Sequence, residues 1–327
     1  MRILILGGAG FVGRHFAKRF LDTGHAVTIV DDMSSGVPRE DWAFQPNSIE
    51  KLQLLIGECR SFFASAGKHW APNKFDLILH CAAIVGGRVK IEDDPLAVGT
   101  DLSIDSEFFN WVSHAEKPLP KVIYFSSSAA YPTELQTKNR QCKLSEELLT
   151  FDRTRVGMPD LTYGFVKLAG EYLAKFAVEK YGVDVKIYRP FGGYGEDQDK
   201  AYPWPSIIRR VINGENPVMV WGSGDQQRDF IHISDVVSCV LETMDKLPPG
   251  DVLNIGSGVP TSFFNLAERV ANLSGKDVSV RNDPLKPEGV FSRVADATKM
   301  LGYYTPKVSL DEGIKRTLDF MAKRSSV

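Results

Sequence analysis

The chain has 327 residues, of which 43% are hydrophobic and 24% charged, with a formal net charge of -2. That length exceeds what one small core needs and suits a nucleotide-binding domain with a smaller partner. The charge balance gives no support for binding nucleic acid or anionic lipid, and no apolar run reaches the ~20 residues of a membrane span. Four scattered cysteines without a C-x-x-C, and six histidines without ligand spacing, predict reduced thiols, a cytoplasmic location and no metal site.

In chain order, Arg2–Leu6 is a short apolar strand, followed by glycines and a helix over Phe11–Asp22 that Gly24 stops. Ala26–Val30, Phe75–His80, Lys121–Ser126 and Val183–Tyr188 read as further strands, the last preceded by a helix over Tyr163–Tyr181. Strands separated by helices of this length need crossovers, which predicts a parallel sheet covered on both faces and strands that are solidly apolar. After Pro190 the texture changes. A helical stretch Ser206–Asn213 is followed by short strands at Val218–Trp221, Phe230–Ile233 and Val252–Ile255. Phe263–Lys323 reads as mostly helical, with a loop around Pro284–Gly289. We therefore expect an α/β protein: a Rossmann-type doubly wound parallel sheet (residues 1–190 and 226–262) with a smaller, discontinuous α/β substrate domain (residues 191–225 and 263–327).

The first turn carries the chemistry that names the cofactor. Gly7, Gly8, Gly10 and Gly13 satisfy both G-x-G-x-x-G and the looser G-x-x-G-x-x-G, between a strand and a helix. Side chains there would keep the backbone off a pyrophosphate, and the helix N-terminus, at Phe11 and Val12, offers N–H groups to it. Asp31, 18 residues after Gly13 and followed by Asp32, ends the next strand. A carboxylate there accepts the ribose hydroxyls and repels a 2′-phosphate, which favours NAD over NADP.

Tyr163 and Lys167 stand four apart in a helix, on one face. A free tyrosine, with a pKa of about 10, is a poor base. A neighbouring ammonium and a cationic nicotinamide favour its phenolate, which can then take a proton from a sugar hydroxyl. Counting back from Tyr131-Pro132, Ser127 is the serine placed to share that hydroxyl's hydrogen bond, at the carboxyl end of a strand where ligands of such sheets bind.

Together these residues resemble the extended short-chain dehydrogenase/reductase family, in particular its NAD-dependent nucleotide-sugar epimerases and dehydratases. His80-Cys81-Ala82-Ala83, Arg189-Pro190-Phe191, Trp221–Gly224, Arg228-Asp229-Phe230, Asn254–Gly258 and Leu310–Gly313 extend the likeness over nearly the whole chain. The resemblance implies further cofactor contacts at Met33, Ser34, Ser35, Glu58, Cys81, Ala82 and Ala83. It also implies substrate contacts at Gly87, Arg88, Ser127, Ser128 and Lys200, and a diphosphate held between Arg228 and Arg293, whose planar forks suit its oxygens. A homodimer built partly on the helix bearing Tyr163 is implied too, with Phe165, Leu168, Leu173 and Phe176 as apolar positions.

Several stretches look most like the GDP-mannose 3,5-epimerase group: Ala82–Gly87, Ser127–Pro132, Lys286–Val290, and Lys200 at that group's catalytic lysine. The departures are as informative. Ala129 stands where that group has a cysteine acid/base, and Ser128 and Ala129 where the 4,6-dehydratases have Asp-Glu. Gly192 and Asp101 stand where the family has asparagines. The reading is an epimerase passing through a keto sugar, with Tyr163, Lys167, Ser127 and Lys200 as catalytic candidates. A nucleotide-sugar 4-dehydrogenase or dehydratase on the same fold is the second reading. A non-catalytic NAD-sensing protein is the third.

Overall fold

The computed structural model describes residues 1–42, 50–65, 67, 69–84, 88–152 and 155–325. Its strands are β1 Arg2–Leu6, β2 Ala26–Asp31, β3 Leu52–Ile56, β4 Leu77–His80, β5 Lys121–Phe125, β6 Asp184–Pro190, β7 Gly193–Tyr194, β8 Val218–Trp221, β9 Gln227–Asp229, β10 Ile231–His232, β11 Val252–Ile255, β12 Pro260–Ser262, β13 Val280–Asp283 and β14 Ser292–Arg293. Its α-helices are α1 Phe11–Asp22, α2 Cys59–Ser65, α3 Arg88–Asp93, α4 Pro95–Gly99, α5 Asp101–Ser113, α6 Leu161–Tyr181, α7 Pro203–Ile212, α8 Ile233–Thr243, α9 Phe263–Ser274, α10 Thr298–Leu301 and α11 Leu310–Ser325.

A seven-stranded sheet of order β3-β2-β1-β4-β5-β6-β11 forms the centre, and its neighbours all pair in parallel. The order reverses between β1 and β4, the Rossmann arrangement, which opens a crevice at the carboxyl ends of those strands. Alternation along β1 sorts the cores. Ile3 and Ile5 face one apolar cluster with Phe16, Phe20, Val236 and Val240 of α1 and α8. Leu4 and Leu6 face another with Phe62, Phe108, Val112 and Ala177 of α2, α5 and α6. With both faces covered, the central strands β1 and β4 are buried and mainly apolar along their length, as the sequence pattern led us to expect. A third cluster, built on Trp204, Ile208, Val220, Val270 and Ile314, holds α7, α9, α11 and β8 together apart from the main sheet.

Several elements differ from expectation. Ile233 does not continue a strand but opens α8, where the His232 ring accepts the Ser234 amide. Within the C-terminal stretch expected to be mostly helical, Val280–Asp283 is a strand pairing in parallel with β8. The edge strand β3 and the helix α5 carried no clear pattern. β3 is only partly covered, and α5 interrupts its apolar face with Asp101 and Asp105, both buried. No described helix is long and apolar enough to cross a membrane.

Candidate active site

The glycine turn follows β1, and the Gly7 amide donates back to Val30 O at 2.8 Å. Helix α1 starts at Phe11 with Gly10 as N-cap and no capping side chain. Its first amides are thus left for an anion, with the helix dipole behind them. A Cβ at Gly13 would stand 2.5 Å from Gly7 O and 2.6 Å from Gly8 Cα, so only glycine lets α1 lie this close to the turn. Asp31, 7% exposed, accepts the Ala9 amide through Oδ2 and the Met33 amide through Oδ1, both at 2.9 Å. Burial pushes its carboxyl above the usual range, and those amides pull it back. Asp31 therefore ties the glycine turn to the end of β2 while facing the cavity. Asp32 accepts the Ser34 amide at 2.9 Å.

One cavity of about 1020 Å³ is lined by Gly7, Gly10, Phe11, Val12, Gly13, Asp31, Asp32, Ser34, Ser35, Glu58, Cys81, Ala82 and Ala83 along its cofactor side. Met33, at φ 62°, turns its side chain onto the core and is not among the lining residues. A cradle that Cβ atoms would fill, uncapped helix amides and a carboxylate ending β2 together fit a dinucleotide.

The same cavity continues past Ser126, Ser127, Ser128 and Ala129 to Tyr163 and Lys167. Helix α6 carries the last two. Lys167 is 3% exposed, and its Nζ lies 6.0 Å from the Tyr163 ring centre and 5.4 Å from that of Tyr124. Burial would lower the ammonium's pKa, but Asp105, Tyr163 and Asp101 more than offset this and raise it. Ser127 Oγ accepts the Ala129 amide at 3.1 Å and so fixes the short turn after β5. Ser126 instead donates to Glu171, whose carboxylate pairs with buried Arg189 at 2.6 Å. It braces β5, β6 and α6.

At the far end Arg228 of β9 and Arg293 of β14 are register partners in a parallel pair, side by side on the cavity wall. Arg293 is aimed by Gln136 Oε1 at 2.7 Å and Asp160 Oδ2 at 2.6 Å. Arg228 packs 5.4 Å from the Phe263 ring centre. Asp229, fully buried, accepts the amides of Ser257, Gly258 and Ala295 at 2.7, 2.9 and 3.1 Å, which locks β9 beside β14. Lys200 is exposed between Asp199 and Ala201. Those two residues line the cavity, but Lys200 is not among its lining residues. Gly87 lies outside the described residues, and of Arg88 only the backbone, in α3, is described. The sequence reading did not assign Gln136, Asp160, Tyr202, Trp221, Gln226 or Glu288 to the site. Gln136 and Asp160 reach Arg293 across 157 and 133 positions, so spacing held no signal for them.

A family profile described as the NAD dependent epimerase/dehydratase family matches residues 3–256. The chain is 29% identical to a UDP-N-acetyl-alpha-D-glucosaminuronate decarboxylase of Bacillus cytotoxicus, covering 98% of this chain and 97% of that one. It is 26% identical to GDP-mannose 3,5-epimerase 1 of Oryza sativa subsp. indica, covering 97% and 80%. In structure it is similar to the UDP-glucuronic acid 4-epimerase of Bacillus cereus, solved with UDP-glucuronic acid and NAD, at a TM-score of 0.82 and 24% identity, covering 99% and 100%. The family profile spans more than half of the chain, so the chain is an NAD-dependent enzyme and belongs to the NAD-dependent epimerase/dehydratase family.

Proposed function

We propose that the protein is a nucleotide-sugar epimerase that oxidises a sugar hydroxyl, at C4, and reduces the resulting keto sugar on its other face. The observation that carries this reading is one continuous cavity holding Tyr163, Lys167 and Ser127 between the glycine turn and the Arg228–Arg293 pair. Several relatives support a nucleotide-sugar substrate, among them a Bacillus subtilis protein described as an uncharacterized UDP-glucose epimerase. NAD, when bound, accepts and returns the hydride. Arg228 and Arg293 hold the diphosphate, and residues 191–225 and 263–327 form the nucleotide-sugar side of the cleft. Tyr163, as phenolate beside the Lys167 ammonium, takes the hydroxyl proton and later returns it. Ser127 holds that oxygen by a hydrogen bond.

Ala129, 5% exposed on the cavity wall, cannot move a proton. This favours hydride chemistry alone over inversion at C3 or C5. A 4-dehydrogenase would use the same groups and differ in releasing reduced cofactor. The outer face of α6 shows Leu161, Phe165, Tyr172 and Phe176 between 36% and 50% exposed, a stripe suited to a second copy of the chain, which supports a homodimer. The test is Tyr163→Phe with a panel of UDP-, GDP-, CDP- and dTDP-sugars. Retained NAD with isomer formation lost supports the reading, and unchanged turnover removes Tyr163 from it.

A further inference from the structure

Beneath Lys167 lies a buried polar tier that the proposed chemistry leaves unused. Asp101 and Asp105 stand one turn apart on α5, each 1% exposed. Asp105 Oδ2 accepts the Tyr124 hydroxyl at 2.5 Å, and its Oδ1 lies 2.9 Å from His80 Nε2, at ion-pair distance but without the alignment of a hydrogen bond. Asp101 is engaged on one side only. Its Oδ1 accepts the Ile84 amide at 2.8 Å, while its buried Oδ2 has no partner among the described residues. Both carboxylates act on Lys167 and raise its pKa.

We propose that Asp101 is a positioning residue for the Tyr163–Lys167 pair, its carboxylate offsetting part of the ammonium's charge and so setting the pH at which Tyr163 becomes a base. The proposal rests on the reading of Tyr163 as that base. An ammonium flanked by two carboxylates lends less of its field to a phenol than an unopposed one. The groups that act on Lys167 are Asp101 and Asp105 from α5, Cys81 just after β4, Tyr124 from β5, and Tyr163 from α6 itself, with His80 of β4 behind Asp105. Among the two acids, Asp105 is the fixed counter-ion. Burial opposes its ionisation, but His80, Lys167 and Tyr124 hold it below the usual carboxylate range. Asp101 is the adjustable one, because burial pushes its carboxyl up and Lys167 and the Ile84 amide only partly restore it.

The test needs no knowledge of the sugar. The ultraviolet absorbance of ionised tyrosine is followed against pH in the NAD-loaded protein, and Tyr163→Phe is subtracted to isolate Tyr163. The same difference is then taken in Asp101→Asn, which keeps an oxygen for the Ile84 amide and removes the charge. The expected result is a midpoint lower by about one pH unit in the Asn background. An unmoved or raised midpoint overturns the proposal. Asp101→Ser, read in the same way, covers failure of the Asn variant to fold. Loss of bound NAD in both variants with helical content intact would make Asp101 a brace for the Ile84 loop, and would also overturn it. Absence of any Tyr163 ionisation in the wild-type difference is a separate result, which defeats the proposed function rather than this inference.

Discussion

Gly170→Ala tests how the fold delivers the proposed catalytic pair, Tyr163 and Lys167. Gly170 sits on α6 three residues beyond Lys167, pressed onto the Tyr124–Asp105 hydrogen bond. A Cβ there would fall inside the contact distance of Tyr124 Oη and Asp105 Oδ2 and lie 2.5 Å from Tyr124 Cζ. Tyr124 is fully buried in β5, so its ring has nowhere to swing, and the methyl both breaks the hydrogen bond and pushes α6 off the sheet. Losing a bond to a buried charge costs about 1.5–3 kcal/mol and overpacking about 1–3 kcal/mol more. The gain in helix propensity returns about 1 kcal/mol, which leaves a net loss of about 3 kcal/mol. With an unfolding entropy of about 2.1 cal/mol/K per residue, that lowers Tm by about 4 °C. Displacing α6 also moves Lys167 and Tyr163, so kcat should fall by about 100-fold for a shift of about 1 Å, while NAD, held mainly by the glycine turn, stays bound. The assay is thermal unfolding of wild type and variant alongside turnover and bound-NAD content. A Tm and kcat within error of wild type would refute the argument that this contact positions the site.

Tyr163→Phe should lower kcat by about 10²–10⁴ with the cofactor still bound, measured as isomer formation against NAD released on denaturation. Gly13→Ala should abolish retained NAD, because the new methyl meets the Gly7 carbonyl 2.5 Å away; NAD content after gel filtration reads it directly. Arg293→Lys, losing the planar fork aimed by Gln136 and Asp160, should raise KM about 10- to 100-fold while leaving NAD content alone. A last prediction concerns pH. Asp197 resists burial through His15 and Arg14, which hold its carboxyl down to about 2 against an ordinary 3.8, with Arg14 Nη1 at 2.7 Å. A depressed acid stabilises above its unfolded value and loses that contribution as pH falls from 3.8 through about 2. Asp197→Asn should therefore cost about 2 kcal/mol at neutral pH, and chemical denaturation at falling pH should show the gap closing.

Local signals carried the cofactor half of the site and the pair at its centre. The glycine turn, Asp31 and the Tyr163–Lys167 spacing are each written within one strand–turn–helix unit, where period and turn chemistry are visible. Arg228 and Arg293 were legible only through resemblance, because their pairing is made by β9 and β14 meeting across 65 positions. What aims them, Gln136 and Asp160, comes from loops with no period at all. Asp101 and Asp105 gave no local signal: two acids four positions apart carry no mark of burial, yet the structure buries both on α5. The small strand β13 was lost in a stretch read as helical because its residues, Val280-Arg281-Asn282-Asp283, have only partial burial and take their strand form from pairing with β8.

The most direct measurement is incubation of the purified enzyme with sugar nucleotides in deuterated water, with product read by NMR and cofactor by absorbance. The account predicts a product isomeric with its substrate at C4, no deuterium at C3 or C5, and NAD that stays bound and oxidised between turnovers. Deuterium at C3 or C5 would show a proton-moving group where Ala129 offers none, and NADH accumulating in step with a departing keto sugar would show a dehydrogenase; either result contradicts the proposed C4 epimerase.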